Sequence, residues 1–307
     1  MTTARVGDVT ITNADKIWWP DEGLTKLEVV NHYARVAERL LPFTVERPLT
    51  LERCPDGFRG RCFYQKNLAV APKLGIPTVA IRATSVNRLV HYPLGNDATT
   101  LLKLVNLGGL SLHVTSCRAG FLDVADWLAF DLDPAARFVD AVEAARLLRE
   151  ILDDEGLRGY PKTTGGKGLH VLVPLRRGAR HADVLAYATF VAERMVQKAP
   201  DLTTSSFAKS ERGGRVYLDI ARNVCGATIV APYSVRHRPH APVSTPLRWD
   251  EVRADLDPAR LNVRTLPERL AGDDPWHAFW SDRQALPSPR RPRAGARPRG
   301  RKRRSVA

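Results

Sequence analysis

Trp127-Leu128-Ala129-Phe130-Asp131-Leu132-Asp133-Pro134 is an apolar run that delivers two carboxylates, two residues apart, and is then stopped by proline. Side chains alternate faces along a strand, so Asp131 and Asp133 emerge together while Phe130 and Leu132 point into a core. Two acids side by side at a sheet's edge repel each other and lose hydration. A hard cation between them offsets both costs, and Mg²⁺ or Mn²⁺ with substrate phosphates is the usual occupant. The stretch therefore predicts phosphoryl or nucleotidyl chemistry on one face of a sheet.

A third acid follows the same rule. In Arg215-Val216-Tyr217-Leu218-Asp219-Ile220, alternation places Val216, Leu218 and Ile220 on the core face and Asp219 on the other. Three carboxylates (Asp131, Asp133, Asp219) converging on an open sheet surface make a two-metal site. One ion would activate an attacking hydroxyl and the other would clamp a triphosphate. The competing reading is that Asp219 merely pairs with Arg215 or Arg222.

Between the acids lies Lys162-Thr163-Thr164-Gly165-Gly166-Lys167-Gly168-Leu169-His170. Glycines let backbone N–H groups approach phosphate, and Thr164 and Lys167 add a hydroxyl and a charge. Lys167 is followed by Gly168 and the segment feeds a strand, so this is not a Walker A loop. His170 shares the face opposite Leu169 and Val171, where it can touch substrate. Arg212, before Gly213-Gly214, and Arg236, after Ala231-Pro232-Tyr233-Ser234-Val235, are either substrate contacts or solvated surface arginines.

The remaining pattern alternates strands and helices. Val9–Thr12 reads as a strand; Thr25 and Glu28 form a capping box that opens a helix with the stripe Val29, Val30, Tyr33, Val36, Ala37, Leu40. Helices are predicted from Val139 to about Glu155, ended by Gly156, and from about Asp183 to Lys198. Strands are predicted at 110–114, 169–173 and 227–231. The order predicts an α/β (α+β) two-layer sandwich, with helices on one face of a mixed sheet and the other face free for the site. Lys26 in the first turn of the capped helix, with Lys16 before it, predicts a phosphate pocket at a helix N-terminus. Arg61-Cys62-Phe63-Tyr64-Gln65-Lys66 interleaves aromatics with cations as base-stacking surfaces do, with Phe63 or Tyr64 facing outward.

The chain has 307 residues and a net charge of +14. Nine of its Lys/Arg lie after Leu286 with no acids among them, which leaves +5 on residues 1–285. Residues 286–307 are predicted to be a disordered polybasic arm that adds salt-sensitive affinity for nucleic acid, beside the simpler reading of a solubilising extension. Residues 1–285 form the predicted catalytic domain. The four cysteines (Cys54, Cys62, Cys117, Cys225) show no C-x-x-C pairing, so all are expected as thiols, with neither zinc site nor disulfide. No apolar stretch reaches membrane-spanning length and the start lacks a signal peptide's apolar core, which predicts a cytoplasmic, nucleoid-associated protein with no membrane partner.

Taken in order, Asp131/Asp133, Gly168-Leu169-His170 and Leu218-Asp219 resemble the motifs of the archaeo-eukaryotic primase superfamily. Longer strings are similar to the polymerase domain of bacterial DNA ligase D, used in non-homologous end joining. They are Asp15-Lys16 with Thr25-Lys26, Phe63 to Lys66, Leu112-His113, Phe130 to Pro134, Gly165 to Val171, and Ala231 to Arg236. The resemblance spans about residues 9–270.

It implies a primase-polymerase fold and template-directed addition of NTP or dNTP at DNA ends and gaps, with Mn²⁺ favoured over Mg²⁺ and ribonucleotides accepted. By position it assigns two metal ions to Asp131, Asp133 and Asp219, and the nucleotide to His113, Thr164, Lys167, His170, Arg212 and Arg236. Lys16 and Lys26 would grip a DNA 5′-phosphate, and Phe63 and Tyr64 would stack on DNA. Thr164 stands where the family often has serine. No ligase or nuclease segment accompanies these motifs, so the expectation is a free-standing polymerase whose partners include Ku and a separate ATP-dependent DNA ligase.

Two other readings compete. A haloacid-dehalogenase-type phosphatase would use Asp131 as covalent nucleophile and Asp133 as acid/base, but its motif continues Gly-Thr or Gly-Val near a chain start, whereas here Pro-Ala follows. A non-catalytic DNA-end-binding module would leave three intact carboxylates without a task.

Overall fold

The computed structural model describes residues 2–83 and 87–287; most of the basic arm expected from residue 286 onward lies outside the described residues. Two helix-backed sheets meet at a central cleft. The central strand of the first is Trp127–Asp133, and its sheet runs in the order Tyr160–Thr163, Leu169–Pro174, Trp127–Asp133, Val216–Asp219, Thr203–Thr204. The pairings are antiparallel except the last, which is parallel, so this sheet is mixed.

Helices Phe138–Asp154 and His181–Lys198 cover one face of that sheet. Leu128, Phe130, Leu132, Val171, Val216 and Leu218 pack there against Leu148, Ile151, Val184, Tyr187 and Val191. Each such side chain stabilises the fold by roughly 1.5–3 kcal/mol relative to exposure. That apolar pull fixes which way the strands face and turns the acids to the side away from these helices. That side is not free, although the sequence predicts a free face: its Trp127, Ala129, Tyr160 and Leu172 are buried in the core of the second layer, and only its acid-bearing end borders a cleft.

The second sheet runs Thr228–Val230, Gly109–Thr115, Leu49–Arg53, Phe63–Gln65. Helices Lys26–Thr44 and Ala98–Asn106 share its core through Val30, Tyr33, Leu40, Leu101 and Leu104. Thr25 and Glu28 cap the longer helix reciprocally, as their spacing predicts. The mixed sheet with helices on one face is as the sequence predicts; the second helix-backed sheet, and three two-stranded sheets beside the two large ones among the described residues, were not foreseen. Thr228–Val230 pairs with Gly109–Thr115 rather than joining the acid-bearing sheet. Alternation identifies a strand and its faces but carries no information on its neighbour.

The cysteine expectation fails for one pair. Cys54 and Cys62 are joined as a disulfide, while Cys117 and Cys225 are free. The strands Leu49–Arg53 and Phe63–Gln65 pair antiparallel, so the loop between them returns on itself and brings the two thiols together. No spacing motif announces such an encounter.

Where Val216–Asp219 ends, the chain turns away in the short turn Ile220–Asn223 and the central strand loses its neighbour. The amide of Asn223 takes over that role. Its Oδ1 accepts from Ala129 N at 2.8 Å, and its Nδ2 donates to Ala129 O at 2.8 Å and to Ile220 O at 2.8 Å. A buried strand edge is thereby satisfied by a side chain.

Among the described residues no helix is long and apolar enough to cross a membrane. Gly168 links the glycine loop to the central strand so tightly that a Cβ there would sit 2.4 Å from Leu132 O. Backbone cannot yield to that contact without shifting the register. Gly168→Ala is expected to cost about 1–3 kcal/mol in chemical denaturation, and an unchanged midpoint would show that the loop can retreat freely.

Candidate active site

One rung of neighbours crosses four strands in the order Lys162, His170, Asp131, Asp219. Directly opposed residues in antiparallel strands project from the same face with Cβ atoms about 5 Å apart. The register therefore places Asp131 and Asp219 side by side on the face away from the helices. Asp133 emerges there one step further along, opposite Tyr217.

The two acids share a counter-ion in Arg222. Its Nε donates to Asp131 Oδ2 at 3.3 Å and its Nη2 lies 2.7 Å from Asp219 Oδ2. His170 Nε2 lies 3.3 Å from Asp131 Oδ1. Asp133 turns outward to Arg212, whose Nη1 is 3.4 Å from its Oδ2. The three carboxylates thus share a surface, yet among the described residues they are not a set whose donor oxygens lie within 4.8 Å of one another. Arg222 bridges Asp131 and Asp219, while Asp133 is engaged separately by Arg212.

Burial and neighbours split the two acids. Burial alone would raise the Asp131 carboxyl, but His170, Arg222 and Lys162 outweigh it and hold it below the usual range. Asp219 is raised, by burial and by the charge of Asp131, against the pull of Arg222. Burial drives His170 down to about 4, with Lys162 adding to the effect, so its ring is neutral at neutral pH. His113 falls to about 3 through burial and the nearby Arg236. Lys162 is fully buried, donates to Ser244 Oγ at 2.5 Å, and is pushed well below the usual lysine value by burial and Arg236.

A cleft of about 770 Å³ opens over the middle of this rung, with His170 and Asp131 in its lining and Lys162 and Asp219 outside it. Asp131, Asp133 and His170 line it from one sheet, and Tyr64, His113 and Val230 from the other. The loop Thr164–Gly168, with Arg222, Arg236 and Arg238, completes the wall. Several buried polar atoms near the cleft have no partner in the chain: His113 Nε2, His170 Nδ1, Arg236 Nε and Arg212 Nε. Such groups are costly unless a ligand or water satisfies them.

The loop is organised by its own threonine. Thr164 Oγ1 accepts from Gly166 N at 3.2 Å and Gly168 N at 3.3 Å, and its own N donates to Gly168 O at 3.0 Å. Gly165 has φ +68°, and a Cβ there would meet Arg236 Cγ at 2.5 Å, so glycine is required on two counts. Arg236 Nη1 donates to Thr164 O at 3.2 Å, and Lys167 is exposed at the rim. Arg212 lies over the Tyr217 ring at 3.9 Å and outside the cleft lining.

The two lysines expected to hold a phosphate adjoin each other, away from the cleft lining, and both ammonium groups already have partners. Lys26 Nζ donates to Thr12 O and Asn106 Oδ1, both at 2.7 Å, and burial together with Lys16 lowers it to about 8. Lys16 Nζ is 2.6 Å from Asp56 Oδ1 and 3.0 Å from Pro55 O. Phe63 and Tyr64 are both exposed, at 42% and 61%, because no layer covers their edge strand. They point to opposite faces, Tyr64 edge-on to His113 at 5.5 Å and Phe63 beneath Arg53 at 5.5 Å. They cannot stack on one base step together.

Sequence reasoning gave Lys162 no role of its own and weighed Arg222 only as a possible partner of Asp219. The strand alternation that turns His170 to the side of the acids also turns Lys162 there, eight positions earlier on the neighbouring strand. Arg222 follows Asp219 by three residues on a single tight turn, a spacing that returns a side chain to its start.

A mixed sheet with its acids on the face away from its helices, opposed by a basic cleft wall, defines a primase-polymerase type of nucleotidyltransferase. The chain belongs to the LigD primase-polymerase domain family, whose model matches residues 25–276. It is 37% identical over 287 residues to the multifunctional non-homologous end joining DNA repair protein LigD of Mycobacterium tuberculosis, covering 89% of this chain and 37% of that protein. The corresponding protein of Pseudomonas aeruginosa is 34% identical over 299 residues, covering 95% of this chain and 35% of the relative. The chain thus spans little more than a third of these relatives. The polymerase domain of Mycobacterium tuberculosis ligase D, solved in complex with DNA, superposes with a TM-score of 0.82 at 33% identity, covering 90% of this chain and 99% of that one. This membership sets aside the haloacid-dehalogenase-type phosphatase.

Three buried histidines, His32 (about 4), His113 and His170, have native values below the free histidine value of 6.5. Between pH 6.5 and 4 the unfolded chain binds protons that the native state excludes, so stability falls as pH falls through that window. Urea unfolding at pH 5 should show a loss on the order of 2 kcal/mol per buried histidine relative to pH 7.5. A flat profile would mean that these rings are protonated in the native state.

Proposed function

We propose that the cleft adds nucleotides to DNA under the direction of a template, filling gaps and extending ends in non-homologous end joining, with ribonucleotides accepted beside deoxynucleotides. The observation that carries this reading is the Asp131–Asp219 pair, held in register at the cleft end of the sheet and bridged by the single, partly exposed Arg222. Oxygen donors of this kind suit Mg²⁺ or Mn²⁺, and Asp131, Asp133 and Asp219 are the residues that would hold them. Bound there, two such ions would supply the positive charge that activates a primer hydroxyl and balances a triphosphate.

The chain's own residues do the positioning. Asp131, ionised well into the acid range, is the carboxylate suited to permanent coordination. Neutral His170 donates through Nε2 to Asp131 and offers Nδ1 to the cleft; neutral His113 offers Nε2 from the facing wall. Lys167, Arg236 and Arg238 place positive charge where phosphates would lie, and the Thr164 hydroxyl keeps the glycine loop in one shape to receive them. Arg212, beside Asp133, can reach the same phosphates by leaving that carboxylate. Tyr64 presents a ring at the rim for a base.

Lys16 and Lys26 fit a 5′-phosphate at a downstream break, with Asp56 giving way to it. A LigD relative solved with DNA supports a DNA substrate here. The wider partners proposed are Ku and an ATP-dependent ligase activity, in keeping with the end-joining names of the relatives. The expected location is the cytoplasm, on the nucleoid.

Extension of a gapped, 5′-phosphorylated duplex, with ribo- and deoxynucleotides under Mn²⁺ and Mg²⁺, tests this. Stepwise templated products are expected. Asp131→Asn and Asp219→Asn should each reduce extension by at least about a hundredfold while duplex binding persists, because metal positioning is lost and the basic contacts remain. Products from either variant at wild-type rate would overturn the assignment. Lys16→Ala should weaken binding to the phosphorylated gap more than to its unphosphorylated counterpart; equal losses would remove the phosphate pocket.

A further inference from the structure

The cysteines joined across the loop between Leu49–Arg53 and Phe63–Gln65 have a third neighbour. The sulfurs of Cys54 and Cys62 and a ring nitrogen of His237 all lie within 4.8 Å of one another, the one such set of three donors among the described residues. Cys54 is buried, and Cys62 and His237 are half-buried. The imidazole is oriented by a backbone contact. Its Nε2 lies 2.7 Å from the carbonyl of Phe58, inside the same loop. A carbonyl only accepts, so Nε2 carries the proton and Nδ1 keeps its lone pair. Metal-binding imidazoles are commonly oriented in this way, by a backbone carbonyl on the nitrogen away from the ion. The Phe58 ring packs on the imidazole at 5.2 Å and on Trp19 at 6.1 Å, which fixes it further.

Two thiolates and one imidazole form a borderline-soft donor set, suited to Zn²⁺ with water as the fourth ligand. No carboxylate belongs to the set, so it does not favour the oxygen-seeking ions suited to the acid pair. We propose that Cys54, Cys62 and His237 form a thiolate–imidazole site for Zn²⁺, filled when the cysteines are reduced and closed when they are joined. Reduction by a dithiol delivers two electrons and two protons to the sulfur–sulfur bond while the dithiol closes to its own disulfide. Zn²⁺ then displaces both thiol protons, and two H⁺ are released to solvent.

The location gives the site a consequence. Its loop carries Pro55 and Asp56, which hold Lys16, and it leads directly into Phe63 and Tyr64. His237 stands between Arg236 and Arg238 of the cleft wall. A bound ion would tie the loop to that wall through the imidazole, whereas the disulfide closes the loop on itself alone.

The test uses the full chain, reduced with a phosphine and titrated without air, first with Co²⁺ alone and then with Zn²⁺. Sulfur-to-cobalt charge-transfer absorption is expected to saturate at one equivalent, to bleach on adding Zn²⁺, and to be missing from the oxidised chain. Cys62→Ser should abolish the band, and His237→Asn should weaken Co²⁺ binding at least roughly tenfold. Cys225→Ser and Asp131→Asn should leave it unchanged. No charge-transfer band in the reduced chain would overturn the proposal. So would a band that persists in Cys62→Ser, full affinity in His237→Asn, or loss of the band in Cys225→Ser. The two ligand variants are read independently, so misfolding of one leaves the other decisive.

Discussion

Asp131 and Asp219 stand directly opposite each other across neighbouring strands, where pairing holds their Cβ atoms about 5 Å apart. Like charges so placed destabilise a sheet, and the apolar residues between them on each strand forbid escape to the other face. The surroundings answer with positive charge and hydrogen bonds. Arg222 spans both carboxylates, His170 donates to one of them, and Lys162 lies further along the same rung. The compensation is unequal, and the two acids end on opposite sides of their ordinary range. A pair divided in this way has one member committed to the ionised state and another that responds to what arrives.

The facing sheet contributes the rest of the cleft by a different route. Gly109–Thr115 and Leu49–Arg53 put Leu112, Val114, Leu49 and Leu51 into their own core, which turns His113 and Thr50 toward the acids. Each wall is thus set by the hydrophobic demand of a separate helix-backed layer. The buried unpartnered nitrogens near the cleft come from both walls and from the arginine-bearing loops, so a ligand satisfying them must touch both sheets. Such a cleft selects ligands by their reach across it as well as by their charge.

Much of this was legible beforehand, and the limits have physical causes. Strict alternation around Phe130, Val171 and Leu218 showed which face each acid and His170 would take, because burial enforces the period of two. The capping box fixed a helix start, because Thr25 and Glu28 satisfy each other locally. Pairing partners are set by distant contacts, so Thr228–Val230 fell into the wrong sheet in the reading. Lys16 and Lys26 read as free cations; only the fold reveals that Asp56, Thr12 and Asn106 already hold them. The meeting of Cys54 with Cys62 and His237 depends on a loop return and on a segment some 180 residues later, which no local pattern records.

The turn Ile220–Asn223 joins two tasks on adjacent residues. Asn223 is riveted into the central strand by three hydrogen bonds at 2.8 Å, while its predecessor Arg222 is 39% exposed. The guanidinium can therefore swing on its own flexible stem above a foundation that stays fixed. The resting protein carries a built-in, removable cation that keeps its acid pair from flying apart, and vacating that position asks for side-chain rotation alone. The backbone around the acids can thus keep one shape whether or not the guanidinium stands between them.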